Sequence, residues 1–298
     1  MYSLNQTIPK SLRFVFAKGF AMLANKILTA VDKEWAWPMA KRTCLGCGVE
    51  LTGKVVTLDH ALSDWLAKEI ELPGVKLRHF LHDENKPEDT LLRSYQLNTF
   101  GSKKVCAICN NGWMSRLETP AKPLILNLMY QKVSILSLTD ADRLTLSRWA
   151  VKTAFMISVV QTLRFELPWP VFQNLGKHEN EGPNGCFVLA TQQANLPKGF
   201  LYTCPSDGFV EGKPIQLRVG FSIHHLHFVV VIPIVEGPRA VRVGACVHVP
   251  LWPLDLHVLA GYERTPERYE TADRFLDYLT NLVQVGVVSR KDAVLLEV

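Results

Sequence analysis

The chain has 298 residues, and no apolar run in it approaches the roughly 18 residues that a membrane-spanning helix requires. The apolar stretch from Phe228 to Val235 is only as long as a strand. A secretory leader is missing from the pattern: Lys18 interrupts the N-terminal apolar segment, and no small-residue cleavage site follows it. Internal repeats and low-complexity tracts are lacking as well. Cysteine does not occur in the manner of a disulfide scaffold. Four of the seven fall into two C-x2-C pairs, which fits a reducing cytoplasm, and the isolated Cys186, Cys204 and Cys246 read as small core residues. These absences leave a globular, cytoplasmic chain with no membrane partner, and its 48% hydrophobic and 20% charged residues agree with that. Its length suits one large domain or two of about 150 residues each.

Charge of one sign is also scarce, except in one place. The net charge is only +5, yet residues 1–43 hold seven Lys/Arg against two acids, so the rest of the chain is balanced. Within this basic arm Leu12, Phe16, Phe20, Leu23, Ile27 and Val31 recur at spacings of three and four, which predicts a helix over residues 10–33 with its lysines off the apolar stripe. That stripe needs cover, from the C-terminal part of the chain or from a second copy in a homodimer. The basic residues suit phosphate contacts, and equally the wet side of a soluble helix.

The chemistry-bearing residues lie between positions 44 and 118. Cys44-Leu-Gly-Cys47 and Cys106-Ala-Ile-Cys109 are two knuckles that together suit one tetrahedral Zn²⁺. The 58 residues between them exceed the roughly 15–20 of a simple zinc ribbon, and the interval contains Leu58-Asp59-His60. Asn110 follows the fourth cysteine directly. Metal-assisted phosphodiester hydrolysis needs oxygen donors for a hard cation and a neutral imidazole to take a proton from water. Asp59, Asn110 and His60 are residues of those types.

This order, C-x2-C, then Asp-His, then C-x2-C-Asn, resembles the HNH nuclease superfamily, also called ββα-metal or treble-clef nucleases, and within it the zinc-knuckle type of phage endonuclease VII. The run Cys109-Asn-Asn-Gly-Trp-Met-Ser-Arg-Leu-Glu118 is similar to a bacterial subgroup of HNH-like proteins. In that subgroup an acid-His segment ending in Trp-Leu comes first, matched here by Asp59-His60 and Trp65-Leu66. The resemblance covers residues 44–118. It implies that His60 is a general base, that Asp59 and the side-chain oxygen of Asn110 hold one Mg²⁺ or Mn²⁺, and that the cysteines hold a structural Zn²⁺. It further implies a DNA endonuclease of little sequence specificity, nicking as a monomer and able to break both strands as a dimer. The setting it suggests is anti-phage defence of the Zorya type, with protein partners of that system. One departure is Ser63, where the family often has proline three residues after the histidine. A zinc-stabilised nucleic-acid-binding protein without chemistry, or an RNA-directed nuclease, fits the same residues.

Lys103, Lys104 and Arg116 suit phosphate contacts and equally suit ordinary surface charge. Asn98 is a weak candidate for orienting His60; Asn111 or Glu118 could assist, although capping or surface solvation suits each of them better. The pattern Val55 to Leu58 is strand-like, Asp64 to Glu71 suits a short helix, and residues 72–95, with Pro73, Pro87 and four acids, read as an insertion or a mobile loop. A helix from Asn111 is expected to stop before Thr119-Pro120. Thr139 to Asp142 resembles a capping box that opens a long helix to about Leu163, apolar nearly all round from Trp149 and with a polar strip at Asp140, Arg143, Ser147, Arg148 and Lys152. After Pro168-Trp-Pro170 the pattern turns to strands. Alternation from Ile215 to Ile223 and from Val241 to Val249 indicates half-buried strands of an antiparallel sheet, with a bulge or corner at His224-His225. His224, His225 and His227 cannot converge on one metal from a strand and read as packing on the sheet surface. A last helix is expected near Ala272 to Gln284. The expectation is an α+β protein: a basic helical arm (1–43), a zinc-stapled ββα-metal module (44–118) and a C-terminal helix-plus-antiparallel-sheet domain (119–298).

Overall fold

The computed structural model describes residues 43–52, 56–70, 76–81, 90–96, 100–160, 167–193, 199–203, 206–210, 213–234, 239–243, 248–253, 259–260 and 283–287. The expected helix over residues 10–33 and the candidate Asn98 lie outside them. So does the expected last helix, apart from Val283 and Gln284, which belong to a strand.

Helices and largely antiparallel sheets make this an α+β structure. Strand β1 (Val56–His60) pairs antiparallel with β4 (Gly101–Cys106), and helix α1 (Asp64–Glu69) follows β1. Residues 72–95 were expected to be a loop. Instead, β2 (Lys76–Leu81) and β3 (Thr90–Gln96) pair antiparallel, from Lys76 opposite Gln96 to Leu81 opposite Thr90. The prolines and acids that gave the interval its loop-like composition stand between or outside these two strands, so they do not interrupt either one.

β4 runs into a helical turn (Ala107–Cys109), a wide π-type turn (Asn110–Met114) and helix α2 (Ser115–Met129). The expected stop at Thr119-Pro120 does not occur, and the expected boundary between residues 118 and 119 falls inside α2. Leu117, Ala121, Ile125 and Leu128 form a buried stripe, while Pro120 and Pro123 lie on the exposed side. There the carbonyls that lose a partner face water, and burial of the opposite stripe keeps the helix intact.

Helix α3 (Asp140–Val160) begins at the predicted box: the Asp142 N–H donates to Thr139 Oγ1 at 3.2 Å, and the Thr139 N–H donates to Asp142 Oδ2 at 3.0 Å. Every residue from Leu146 to Ser158 is buried, because helices, β4 and the main sheet all pack against α3. Trp149 packs against Phe221 and Phe228 of the main sheet, with ring centroids 5.9 and 5.7 Å away, and Phe155 packs against Phe172 at 5.3 Å. The expected polar strip is therefore partly internal, with Ser147, Arg148 and Lys152 all buried.

Helix α4 (Trp169–Lys177) comes before the strands, where sheet was expected directly. Pro170 sits in its first turn, where a missing N–H loses no hydrogen bond. The guanidinium of Arg148 ends this helix, donating to the Leu175 and His178 carbonyls at 2.5 Å and also to the Glu181 carbonyl.

The main sheet has the order β11-β5-β9-β8-β6 (Val249–Trp252, Phe187–Gln192, Leu226–Pro233, Lys213–Ile223, Phe200–Thr203), and β7 (Ser206–Val210) also pairs with β8. A three-stranded sheet has the order β12-β10-β13 (Leu259–Ala260, Arg239–Val243, Val283–Val287), and its β10–β12 pair is parallel. The alternating stretch from Val241 to Val249 thus contributes to two sheets, and β8, expected to be half-buried, has its polar Gln216, Arg218 and Ser222 buried as well. His224-His225 is a tight turn, with Ile223 opposite Leu226 and His224 at φ 49°. Among the described residues the three histidines form no common cluster, two of them standing in the turn and His227 in β9. His227 lies inside the protein and not on the sheet surface, fully buried, its ring 5.9 Å from that of His248.

One continuous apolar core includes Cys44, Leu66, Phe100, Met114, Trp149, Phe172, Phe228 and Leu251. Among the described residues no helix is long and apolar enough to cross a membrane.

Candidate metal centre and adjoining groove

The first knuckle is a tight hairpin. The Cys44 N–H donates to the Val49 carbonyl at 2.7 Å, the Gly48 N–H donates to the Cys44 carbonyl at 2.8 Å, and Thr43 bridges to Glu50. Gly48 takes φ +77°, the left-handed region that favours glycine. Gly46 is required for a different reason, since a Cβ there would lie 2.9 Å from the Cys109 sulfur. The second knuckle forms where β4 ends and the chain turns helical, and Leu45 joins the two by donating its N–H to the Lys104 carbonyl at 3.0 Å.

The ligand atoms of Cys44, Cys47, Cys106 and Cys109 all lie within 4.8 Å of one another. Backbone N–H groups point at the sulfurs: Gly46 and Cys106 donate to Cys44 Sγ at 3.3 and 3.2 Å, and Cys109 donates to Cys106 Sγ at 3.4 Å. Burial pushes the Cys44 thiol up, but the hydrogen bonds from Cys106, Cys47 and Gly46 together outweigh it and hold the thiol below its ordinary value. Burial pushes Cys47 and Cys109 up, and for Cys109 the neighbouring sulfurs add to the rise. Such a cluster is prepared for thiolates and is frustrated without a cation to share among them. The four cysteines could hold one metal ion such as Zn²⁺, and their donor set fits it.

The remaining predicted residues lie on β1, on β4 and on the segment that follows the second knuckle. Asp59 and His60 are the last two residues of β1, opposite Ser102 and Gly101, after a register shift between Thr57 and Asp59. Asn110 stands directly behind the fourth cysteine, and its side-chain amide donates to the Thr57 hydroxyl at 3.0 Å. Asn110 is thereby tied to the strand that carries the Asp-His pair. Lys103 and Lys104 are exposed on β4. Arg116 is exposed too, but it makes a two-pronged ion pair with Glu179: Nε at 3.0 Å and Nη2 at 2.5 Å from its carboxylate oxygens. That hydrogen-bonded charge pair raises the Arg116 pKa and lowers that of Glu179.

Next to Asn110 an open groove of about 680 Å³ runs between α1 and α2. Its lining includes Ser63, Trp65 and Lys68 on one side, and Asn110, Asn111, Met114, Glu118 and Lys122 on the other. The Lys122 ammonium lies over the Trp65 ring, 5.3 Å from its centroid. Glu118, expected to be solvated, is half-buried here, and its Oε1 accepts from Ser63 Oγ at 2.5 Å and from Lys152 Nζ at 2.7 Å. Burial alone would raise the Glu118 carboxyl, but the charge of Lys152 and its hydrogen bond, together with that of Ser63, bring it below the ordinary value. The sequence did carry a signal for this pair: a lysine inside the apolar stretch of α3 must find an anion when it is buried.

Trp113 anchors the segment behind the second knuckle. A Cβ on Gly176 of α4 would lie 2.7 Å from its indole nitrogen, and Phe172 meets the ring edge-on at 5.4 Å.

Comparison with family models, with curated proteins and with solved structures gives no match. The resemblance to HNH nucleases therefore rests on the sequence motifs of residues 44–118 alone.

Proposed function

We propose that this protein is a metal-dependent HNH-type endonuclease that acts on DNA, built around a structural Zn²⁺ at the four cysteines. The observation that carries this reading is the gathering of two knuckles 59 positions apart, with Cys47 Sγ 3.7 Å from Cys106 Sγ. It supports a centre in which the strand ending in Asp59-His60 is held beside the segment opening with Asn110, and the Asn110–Thr57 hydrogen bond supports it further.

In this reading Asp59 and Asn110 hold one Mg²⁺ or Mn²⁺, which, when bound, lends positive charge to the phosphate and the leaving oxygen. Neutral His60 accepts the proton of the attacking water, so activity falls in acid as the imidazole becomes charged. Lys103 and Lys104 contact phosphates, and Arg116 joins them by exchanging Glu179, an exposed pair that costs little to open. Contacts of this kind position a duplex without reading its bases, which fits nicking with little sequence specificity.

Supercoiled plasmid incubated with Mg²⁺ or Mn²⁺ tests the proposal. The wild-type protein should convert it to the open circle, and His60→Ala should not. Equal inactivity of the two would overturn the enzyme reading in favour of a zinc-stabilised nucleic-acid-binding protein. Faster cleavage of single-stranded RNA than of plasmid would move the substrate class to RNA.

A further inference from the structure

Lys152 lies at the centre of α3 with its side chain only 1% exposed, and it meets Glu118 of α2 at 2.7 Å. The same carboxylate oxygen accepts from Ser63, which stands three residues after His60 at the corner between β1 and α1. One atom of Glu118 therefore ties together three elements: the corner that follows Asp59-His60, the helix behind Asn110 and the buried central helix.

Stability alone does not explain such a group. An ion pair with one partner buried, as Lys152 is, and the other half-buried, as Glu118 is, loses much of its Coulombic attraction to desolvation, and apolar side chains of similar volume can serve such a place as well or better. An apolar pair cannot supply direction. Hydrogen bonds to one oxygen fix where the corner sits along α2, and catalysis depends on such placement to within fractions of an ångström. The corner is otherwise held by the Ala61 N–H, which donates to the Phe100 carbonyl at 2.9 Å, and by burial of Ala61 and Leu62.

We infer that Ser63, Glu118 and Lys152 form a positioning network that sets the β1–α1 corner, and with it Asp59-His60, against the segment carrying Asn110. The inference deepens the endonuclease reading of the same site and rests on it. Ser63, the departure from the family's usual proline, is on this view the residue through which the corner is held.

The experiment uses the full chain with its zinc and compares Glu118→Gln, Lys152→Met and the double variant Glu118→Leu/Lys152→Met. Four quantities are read: zinc content, urea midpoint, kcat and KM for nicking, and the imidazole signal of His60 in histidine-labelled protein, assigned by its loss in His60→Ala. The single variants should lower both midpoint and kcat, the latter at least tenfold with KM unchanged. The double variant should regain its midpoint while kcat stays low and the His60 signal stays displaced. A double variant that recovers midpoint, kcat and the wild-type signal together would show the network to be merely structural and overturn the inference. If the wild type itself does not nick, the endonuclease reading fails separately, and the His60 signal still decides the positioning role. If the double variant does not fold, Ser63→Ala takes its place: it keeps the ion pair and cuts only the tie to the corner. A His60 signal unmoved by Ser63→Ala would likewise overturn the inference.

Discussion

The sulfurs of Cys47 and Cys106 stand 3.7 Å apart. A disulfide requires about 2.05 Å, whereas sulfurs placed at about 2.3 Å around a tetrahedral Zn²⁺ are roughly 3.8 Å from one another. The spacing excludes a disulfide and suits two sulfurs that share an ion. The purified protein should carry one zinc per chain at this centre by elemental analysis, and Cys106→Ser should lose it. Because structural zinc contributes folding energy, on the order of 10 kcal/mol in isolated fingers, chelation should lower the thermal midpoint of the wild type and leave that of Cys106→Ser unchanged.

Gly176 and Trp113 give a test of packing behind the second knuckle. Gly176→Ala would press a methyl group against the indole nitrogen at 2.7 Å and should cost about 1–3 kcal/mol in urea unfolding. Gly48→Ala is the contrasting case: a Cβ there meets nothing within 4 Å, and the loss comes only from its φ of +77°, about 1–2 kcal/mol.

Glu118 makes a prediction about acid. Its carboxyl is held below the ordinary value of 4.5, so its contribution is complete above that pH and is lost as pH falls through the lowered value in the fold. Urea midpoints measured from pH 7 to pH 3 should fall more steeply below pH 4.5 for the wild type than for Glu118→Gln.

His248 predicts a second window, at higher pH. Burial pushes it from 6.5 down to about 4, so between those values the unfolded chain takes up a proton that the folded chain refuses. Stability should therefore decline as pH falls from 6.5, by roughly 3 kcal/mol for this group when pH 4 is reached. His227, held well below its ordinary value by burial and by His248, acts in the same direction. His248→Phe should flatten the decline in urea unfolding followed across this range.

The sequence by itself determined what depends on neighbours along the chain. The C-x2-C spacing makes knuckles, Thr139 and Asp142 cap a helix, alternation from Ile215 to Ile223 makes a strand, and Val56 to Leu58 leads into Asp59-His60 as β structure. Each follows from a local rule of spacing or hydrogen bonding that holds whatever surrounds it. Only the tertiary structure decided that Arg148 and Lys152 are internal, that Glu118 lines a groove, that α2 continues past two prolines and that Trp113 requires a glycine on α4. A buried charge persists only where an opposite charge or a row of carbonyls comes from elsewhere in the chain, and a proline is tolerated only where the freed carbonyl reaches water. The partners of Arg148 and Lys152 stand 27 to 34 positions away along the chain, so no local pattern names them.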